Sequence, residues 1–233
     1  TPYISETERL FLEERTVKLA CDTKGAEIYF TTDGSEPGKN ATLYTQPFVV
    51  TKTTFVKIKA YLGNQESLPA VAEIRKAAMA LPVQPGEVES GLTFSYHEGF
   101  YRMVNDFVQS TPVKSGVVPT FSIEVRGKEQ YFGFQFNGFL KVPEDGLYTI
   151  YLAANDGARL SLDGSVLINN DGLHPLTEIY KQVSLKAGLH PISVGYFQEG
   201  GTHGLKVSWH GPGFEKQEIP ASVLFHPKQV ITN

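Results

Sequence analysis

The sequence predicts an all-β protein of two units in series, a small β-sandwich followed by a larger antiparallel β-sandwich or barrel. Three observations predict it. Apolar residues recur at every second position along short segments, the period of a half-buried strand. Asp-Gly or Asn-Gly pairs at Asp33-Gly34, Asn137-Gly138, Asp145-Gly146, Asp156-Gly157, Asp163-Gly164 and Asp171-Gly172 punctuate those segments as hairpin turns would. The 233 residues include 22 Gly and 14 Pro, which suits short strands and turns better than long helices.

The first unit is assigned to residues 1–76. Val17, Leu19 and Cys21 alternate, then Ile28 and Phe30, then Val56, Ile58, Ala60 and Leu62. Between them Thr32-Asp33-Gly34-Ser35-Glu36-Pro37 has the residues of a chain reversal and reads as the main loop. Residues 70–81 contain good helix formers, but Pro69 and Pro82 bracket them and no apolar stripe forms, so a last strand to about Arg75 is expected. Residues 77–90, with Pro82, Pro85 and Gly86, read as an extended linker. Over 91–233 the alternation returns in Leu92/Phe94/Tyr96, Phe132/Phe134/Phe136, Tyr148/Ile150/Leu152, Leu160/Leu162, Ile192/Val194/Tyr196 and Val207/Trp209. Aromatic and β-branched residues on these faces form the expected core, Trp209 included.

Composition removes several function classes. A net charge of −4 lacks the basic field that a phosphate backbone needs, so no nucleic-acid partner is expected. The single cysteine, Cys21, excludes an internal disulfide and any multi-cysteine metal site, and its place in the alternation makes it a small buried hydrophobe. No apolar run approaches the roughly 20 residues of a spanning helix, so no membrane span is expected. The chain starts at Thr1 without a basic-then-apolar leader, as expected of a processed product or a piece of something longer. There is no Gly-x-Ser-x-Gly elbow and no phosphate loop, and His97-Glu98 lacks the second histidine of a zinc-protease helix. No catalytic residue is assigned.

Two runs of residues carry resemblances. The first is Glu27-Ile28-Tyr29-Phe30-Thr31-Thr32-Asp33-Gly34-Ser35-Glu36-Pro37, followed by Leu43-Tyr44, Pro47-Phe48 and the stretch Thr53 to Ala60. It resembles the small Ig-like β-sandwich at the C-terminus of chitobiases and β-hexosaminidases. The second is Asn155-Asp156-Gly157-Ala158-Arg159-Leu160-Ser161-Leu162-Asp163-Gly164, with Asn169-Asn170-Asp171-Gly172-Leu173-His174, Leu185 to Ile192, and Trp209-His210-Gly211-Pro212-Gly213. It resembles the β-barrel module shared by anthrax protective antigen, yeast flocculins, epithelial adhesins and many bacterial glycosidases. The family usually has Asp-Asp-Gly where this chain has Asn155-Asp156-Gly157.

The resemblances imply a non-catalytic accessory region of a bacterial glycoside hydrolase, β-hexosaminidase- or glucosidase-like, with the catalytic domain upstream in the same polypeptide. They imply a periplasmic, cell-surface or secreted location and a glycan partner. Asn155, Asp156, Asp163, Asn170, Asp171 and His174 are the expected carbohydrate-binding residues. In the adhesin branch a cis-linked acidic pair holds calcium; here Asn155, Asp156 and Asn170 are the expected ligands, offering the hard oxygens that calcium takes. The plainer readings stand beside these: Asp163 as a turn residue, His174 as a loop hydrogen-bonder, Arg159 as a loop brace, and both units as spacers or as a free-standing adhesin.

Overall fold

The computed structural model describes residues 1–5, 9–107 and 110–228. It is all-β, and it separates into two units, Thr1–Ala78 and Met79–Asn233. No described helix is long and apolar enough to cross a membrane.

The strands of the first unit are β1 (Pro2–Ile4), β2 (Leu10–Phe11), β3 (Arg15–Val17), β4 (Leu19–Cys21), β5 (Glu27–Thr31), β6 (Thr42–Leu43), β7 (Phe48–Val50), β8 (Thr54–Leu62), β9 (Gln65–Glu66) and β10 (Ala70–Lys76). The main sheet runs β2-β10-β8-β5-β6, and the pairs β1-β4 and β3-β7 complete the sandwich. Phe11, Val17, Leu19, Ile28, Phe30, Val56, Ile58 and Ile74 fill its core, the inward positions of the period-2 pattern. Cys21 is only half-buried, at the edge of that core. The Asp33 loop is self-contained: the Asp33 carboxylate accepts from the Ser35 amide and hydroxyl, and Lys57 and Lys59 reach Glu36.

The second unit has β11 (Val88–Ser90), β12 (Leu92–Glu98), β13 (Lys114–Val118), β14 (Phe132–Val142), β15 (Gly146–Asn155), β16 (Ala158–Leu162), β17 (Ser165–Asn170), β18 (Thr177–Leu185), β19 (Gly188–Gln198), β20 (Gly204–Gly211), β21 (Phe214–Glu218) and β22 (Leu224–Pro227). One sheet runs β11-β22-β14-β19-β16-β17, with β12 joining β14 to β13; the other runs β18-β15-β20-β21. Between them lies a core in which Phe132, Phe134, Phe136, Tyr148, Ile150, Leu152, Leu160 and Val194 are fully buried. Trp209 is there too, 2% exposed and stacked on Tyr148.

Two expectations are corrected. Residues 79–90 are not a free linker: the Ala80 amide donates to Ser184 O, Val83 to Leu189 O, and β11 pairs with β22. The prolines sit where no ladder N–H is needed, so the segment lies on the second unit as an edge. Asn137-Gly138 is not a turn but lies inside the eleven-residue β14. A Cβ on Gly138 would lie 2.3 Å from Phe225 O, so the glycine lets β22 approach rather than letting the chain reverse.

Strand register decides which loops meet. Glu98 pairs with Phe132, Phe132 with Gln198, Ala158 with both Tyr196 and Asn170, Ala154 with Thr177, and Asn155 with Gly204. The connections after β12, β15, β17 and β19 therefore emerge at one end of the second unit. The turns at 143–145, 163–164, 186–187 and 212–213 emerge at the other.

Candidate functional site

At the first end the chain leaves β15 through a cis peptide bond between Asn155 and Asp156. Tyr196 holds this corner from below. Its hydroxyl lies 2.5 Å from Asn155 O and 2.8 Å from Gln198 Oε1, while its oxygen accepts from the Gly204 amide at 3.2 Å. Burial pushes this phenol well above its ordinary value, so it stays protonated and remains a donor. The Asp156 carboxylate accepts from the amides of Glu199, at 2.8 Å, and Gly200, at 3.4 Å, and ties the β19–β20 loop to the cis corner. The Asn155 amide reaches Thr202 Oγ1 in the same loop.

Gly157 completes the corner. A Cβ there would lie 2.4 Å from the Phe197 ring and 2.7 Å from both N and O of Gly172, so the β17–β18 loop packs directly on the glycine backbone. Asp171 fixes that loop sideways: its Oδ1 accepts from the amides of Gly172 and Val104, the latter opening a 3-10 turn at Val104–Asp106. Arg159 donates to Asn105 Oδ1 at 2.6 Å, a second clamp on the same turn. Tyr101, Val104, Phe107 and Phe197 form a small apolar cluster that seats it.

Five of the six expected binding residues thus meet at this end, but in different roles. Asn155, Asp156 and Asp171 are half-buried, each with a side chain on the rim. His174 directs Nδ1 at Pro175 O and Nε2 at Asn170 O, so both ring nitrogens serve the loop's own backbone. Asn170 is 4% exposed, with its amide nitrogen on Leu152 O and Thr177 O inside the sandwich. Asp163 lies apart. It occupies the turn at the far end of β16, where its carboxylate meets Nδ1 of the fully buried His190. A five-residue strand separates it from Gly157, so the two Asp-Gly turns face opposite ends.

For calcium the donors divide in the same way. Asn155 and Asp156 are adjacent hard-oxygen groups at the rim, and a carboxylate keeps lone pairs to spare after accepting two amides, so this pair fits the ion. Asn170 is buried beside them, with its amide nitrogen already on two carbonyls. Among the described residues no three His, Cys, Asp or Glu side chains gather as a metal site, so other ligands would be amide and carbonyl oxygens.

Sequence reading passed over Phe100, Tyr131 and the Glu199–Gly200 amides. They lie in loops without periodicity, and only register brings them to this end.

Residues 119–222 match the PA14 domain model. Residues 10–71 match the chitobiase/β-hexosaminidase C-terminal domain. Both resemblances read from the sequence are therefore met, and the cis corner falls inside the PA14 match. The PA14 domain of the antifreeze protein MpAFP superposes with a TM-score of 0.53 at 15% identity, covering 64% of this chain and 98% of that one. An anti-sigma factor domain-containing protein from Clostridium clariflavum superposes with a TM-score of 0.50 at 20% identity, over 94% of this chain and 81% of that one. These likenesses show the fold. The anti-sigma-I factor RsgI3 of Acetivibrio thermocellus is 31% identical over 100 residues, 42% of this chain. That stretch is 15% of the relative's own length.

Proposed function

We propose that this chain is a non-catalytic, glycan-binding region of a larger bacterial protein acting outside the cytoplasm, and that the sugar is taken at the cis Asn155–Asp156 corner. The observation that carries the reading is that corner itself. Within a matched PA14 domain, a carboxylate and an amide stand side by side on a rim braced by Tyr196 and by two loop amides. Braced polar groups at a loop end suit sugar hydroxyls, because their ordering cost is met before the ligand arrives.

Titration calorimetry against hexosamine-containing and plant oligosaccharides chosen by a glycan array tests it. The wild-type chain is expected to bind at least one, and Asp156→Ala to lose at least tenfold in affinity, the scale of one charge-assisted hydrogen bond. No binding to any array glycan removes the lectin reading and leaves the spacer role. Calcium, where bound, would be held by Asn155 and Asp156 and would offer sugar hydroxyls a cation to coordinate. It is expected to raise the melting temperature of the wild type above its value in chelator, and the same temperature in both removes the ion.

For the parent, we favour an anti-sigma factor. The Clostridium clariflavum likeness spans both units, and the partial relative from Acetivibrio thermocellus is also named an anti-sigma factor. The match to the chitobiase/β-hexosaminidase C-terminal domain favours the second reading, an accessory region of a glycoside hydrolase. Sequencing the gene on both sides decides between a sigma-binding segment and a glycosidase barrel.

A further inference from the structure

We propose that Phe100 and Tyr131 form an aromatic platform on which a second pyranose ring of the bound oligosaccharide stacks, so that the site reads more than one sugar unit. The inference rests on the glycan reading of the Asp156 corner. The second unit packs most of its aromatic side chains into its core, whereas Phe100 is 57% exposed and Tyr131 47% exposed. Their centroids are 6.1 Å apart with planes inclined by 31°, and both rings of this pair stay open to solvent. Exposed apolar rings cost solvation free energy that a packed core would have recovered, which singles out a pair kept in the open.

The backbone holds the pair deliberately. Tyr131 has φ 61°, a left-handed conformation that a residue with a ring seldom adopts, and its carbonyl accepts from the Gly99 amide at 2.8 Å. That bond ties the stem of the Phe100 loop to the start of β14. The Arg102 guanidinium sits 5.5 Å from the Phe100 centroid and braces the ring, and Asp106 accepts from the Arg102 and Met103 amides to fix the loop beyond it.

Position then links platform to corner. Phe132 pairs with Gln198, so Tyr131, one residue before β14, stands across from Glu199, one residue after β19, and the Glu199 amide is one of the two from which the Asp156 carboxylate accepts. The apolar C–H faces of pyranose rings pack on aromatic faces, and a neutral ring pair at the same end as a carboxylate–amide corner matches a saccharide with one unit held by its hydroxyls and the next by its face. A third exposed ring, Tyr180, supplies the contrast. It pairs across strands with Tyr151, whose ring lies 4.0 Å from the Lys216 ammonium, on the outer face of the four-stranded sheet. That is a sheet-stabilising pair away from the loop end.

The test is calorimetry with the mono-, di- and trisaccharide of whichever array glycan binds, using Phe100→Ala and Tyr131→Asn, the latter because Asn tolerates positive φ while removing the ring. Each variant is expected to lose roughly tenfold in affinity for the trisaccharide. Affinity for the monosaccharide should stay within twofold of wild type, and Tyr180→Ala should change neither. Unchanged trisaccharide affinity in both variants, with Asp156→Ala still defective, overturns the platform alone. Absence of binding by the wild type overturns the glycan reading and the platform with it. Equal losses for mono- and trisaccharide also overturn the platform, since the rings would then shape the corner instead of taking a second unit.

Discussion

Gly157→Ala is expected to destabilise the second unit by about 3 kcal/mol, at the upper end of ordinary overpacking. The reason is the identity of what the new methyl meets. At 2.4 Å from the Phe197 ring and 2.7 Å from both N and O of Gly172, it has no rotamer to escape into, and two of its three neighbours are backbone. Phe197 is fully buried and its amide donates to Gly157 O, so the ring has no room to retreat either. Relief has to come from the β17–β18 loop. Moving Gly172 pulls on Asp171, whose carboxylate also holds the Val104 amide, so the displacement spreads to the 3-10 turn. For a domain of this size the melting temperature should fall by roughly 6 to 12 °C. Gly200→Ala is the matched control: nothing lies within 4 Å of its Cβ position, its φ is not positive, and its amide is kept for Asp156. It should melt within a degree or two of wild type, and a Gly157→Ala protein that does the same would contradict the packing described for the corner.

Asp163→Ala is expected to cost about 3 kcal/mol while leaving sugar affinity unchanged. Two losses add. Asp163 has φ 50°, so a residue without a locally bonding side chain meets about 1 kcal/mol of left-handed strain. Its carboxylate lies 3.0 and 3.1 Å from His190 Nδ1, while His190 Nε2 faces Lys186 O at 2.8 Å. Both ring nitrogens face acceptors. Taking away the carboxylate leaves a buried donor without its partner, worth about 1 to 3 kcal/mol. Asp163→Asn keeps the positive-φ tolerance and an acceptor oxygen, so it should recover at least half of the loss. Thermal melts of the three proteins check the order, and calorimetry with the array glycan checks the affinity. A drop in sugar affinity at unchanged stability would return Asp163 to the binding surface.

These two substitutions show where sequence reading reaches. Asp156-Gly157 and Asp163-Gly164 look alike as dipeptides, and both do sit in turns. What separates them is the five-residue β16 between, which sends one to the end with the Asn170–His174 loop and the other to the end with His190. The Asn137-Gly138 signal misleads for a related reason. A glycine after asparagine is equally at home where a neighbouring strand must come close, and the neighbour, β22, lies far along the chain. His174 and Asn170 were legible as polar loop residues, yet their hydrogen bonds face inward, which depends on carbonyls contributed by β15 and by their own loop.

The sequence by itself determined the fold class, the two units, the core faces of the strands and the loop that bears Asn155 and Asp156. Alternation and turn chemistry are local, and a period of two is written into consecutive residues. The tertiary structure alone decided which loops share an end, that residues 79–90 belong to the second unit, and that Phe100 and Tyr131 lie at the same end as the cis corner. Those follow from strand register over separations of tens of residues, where pairing is set by the fit of whole sheets and no short run of residues records it.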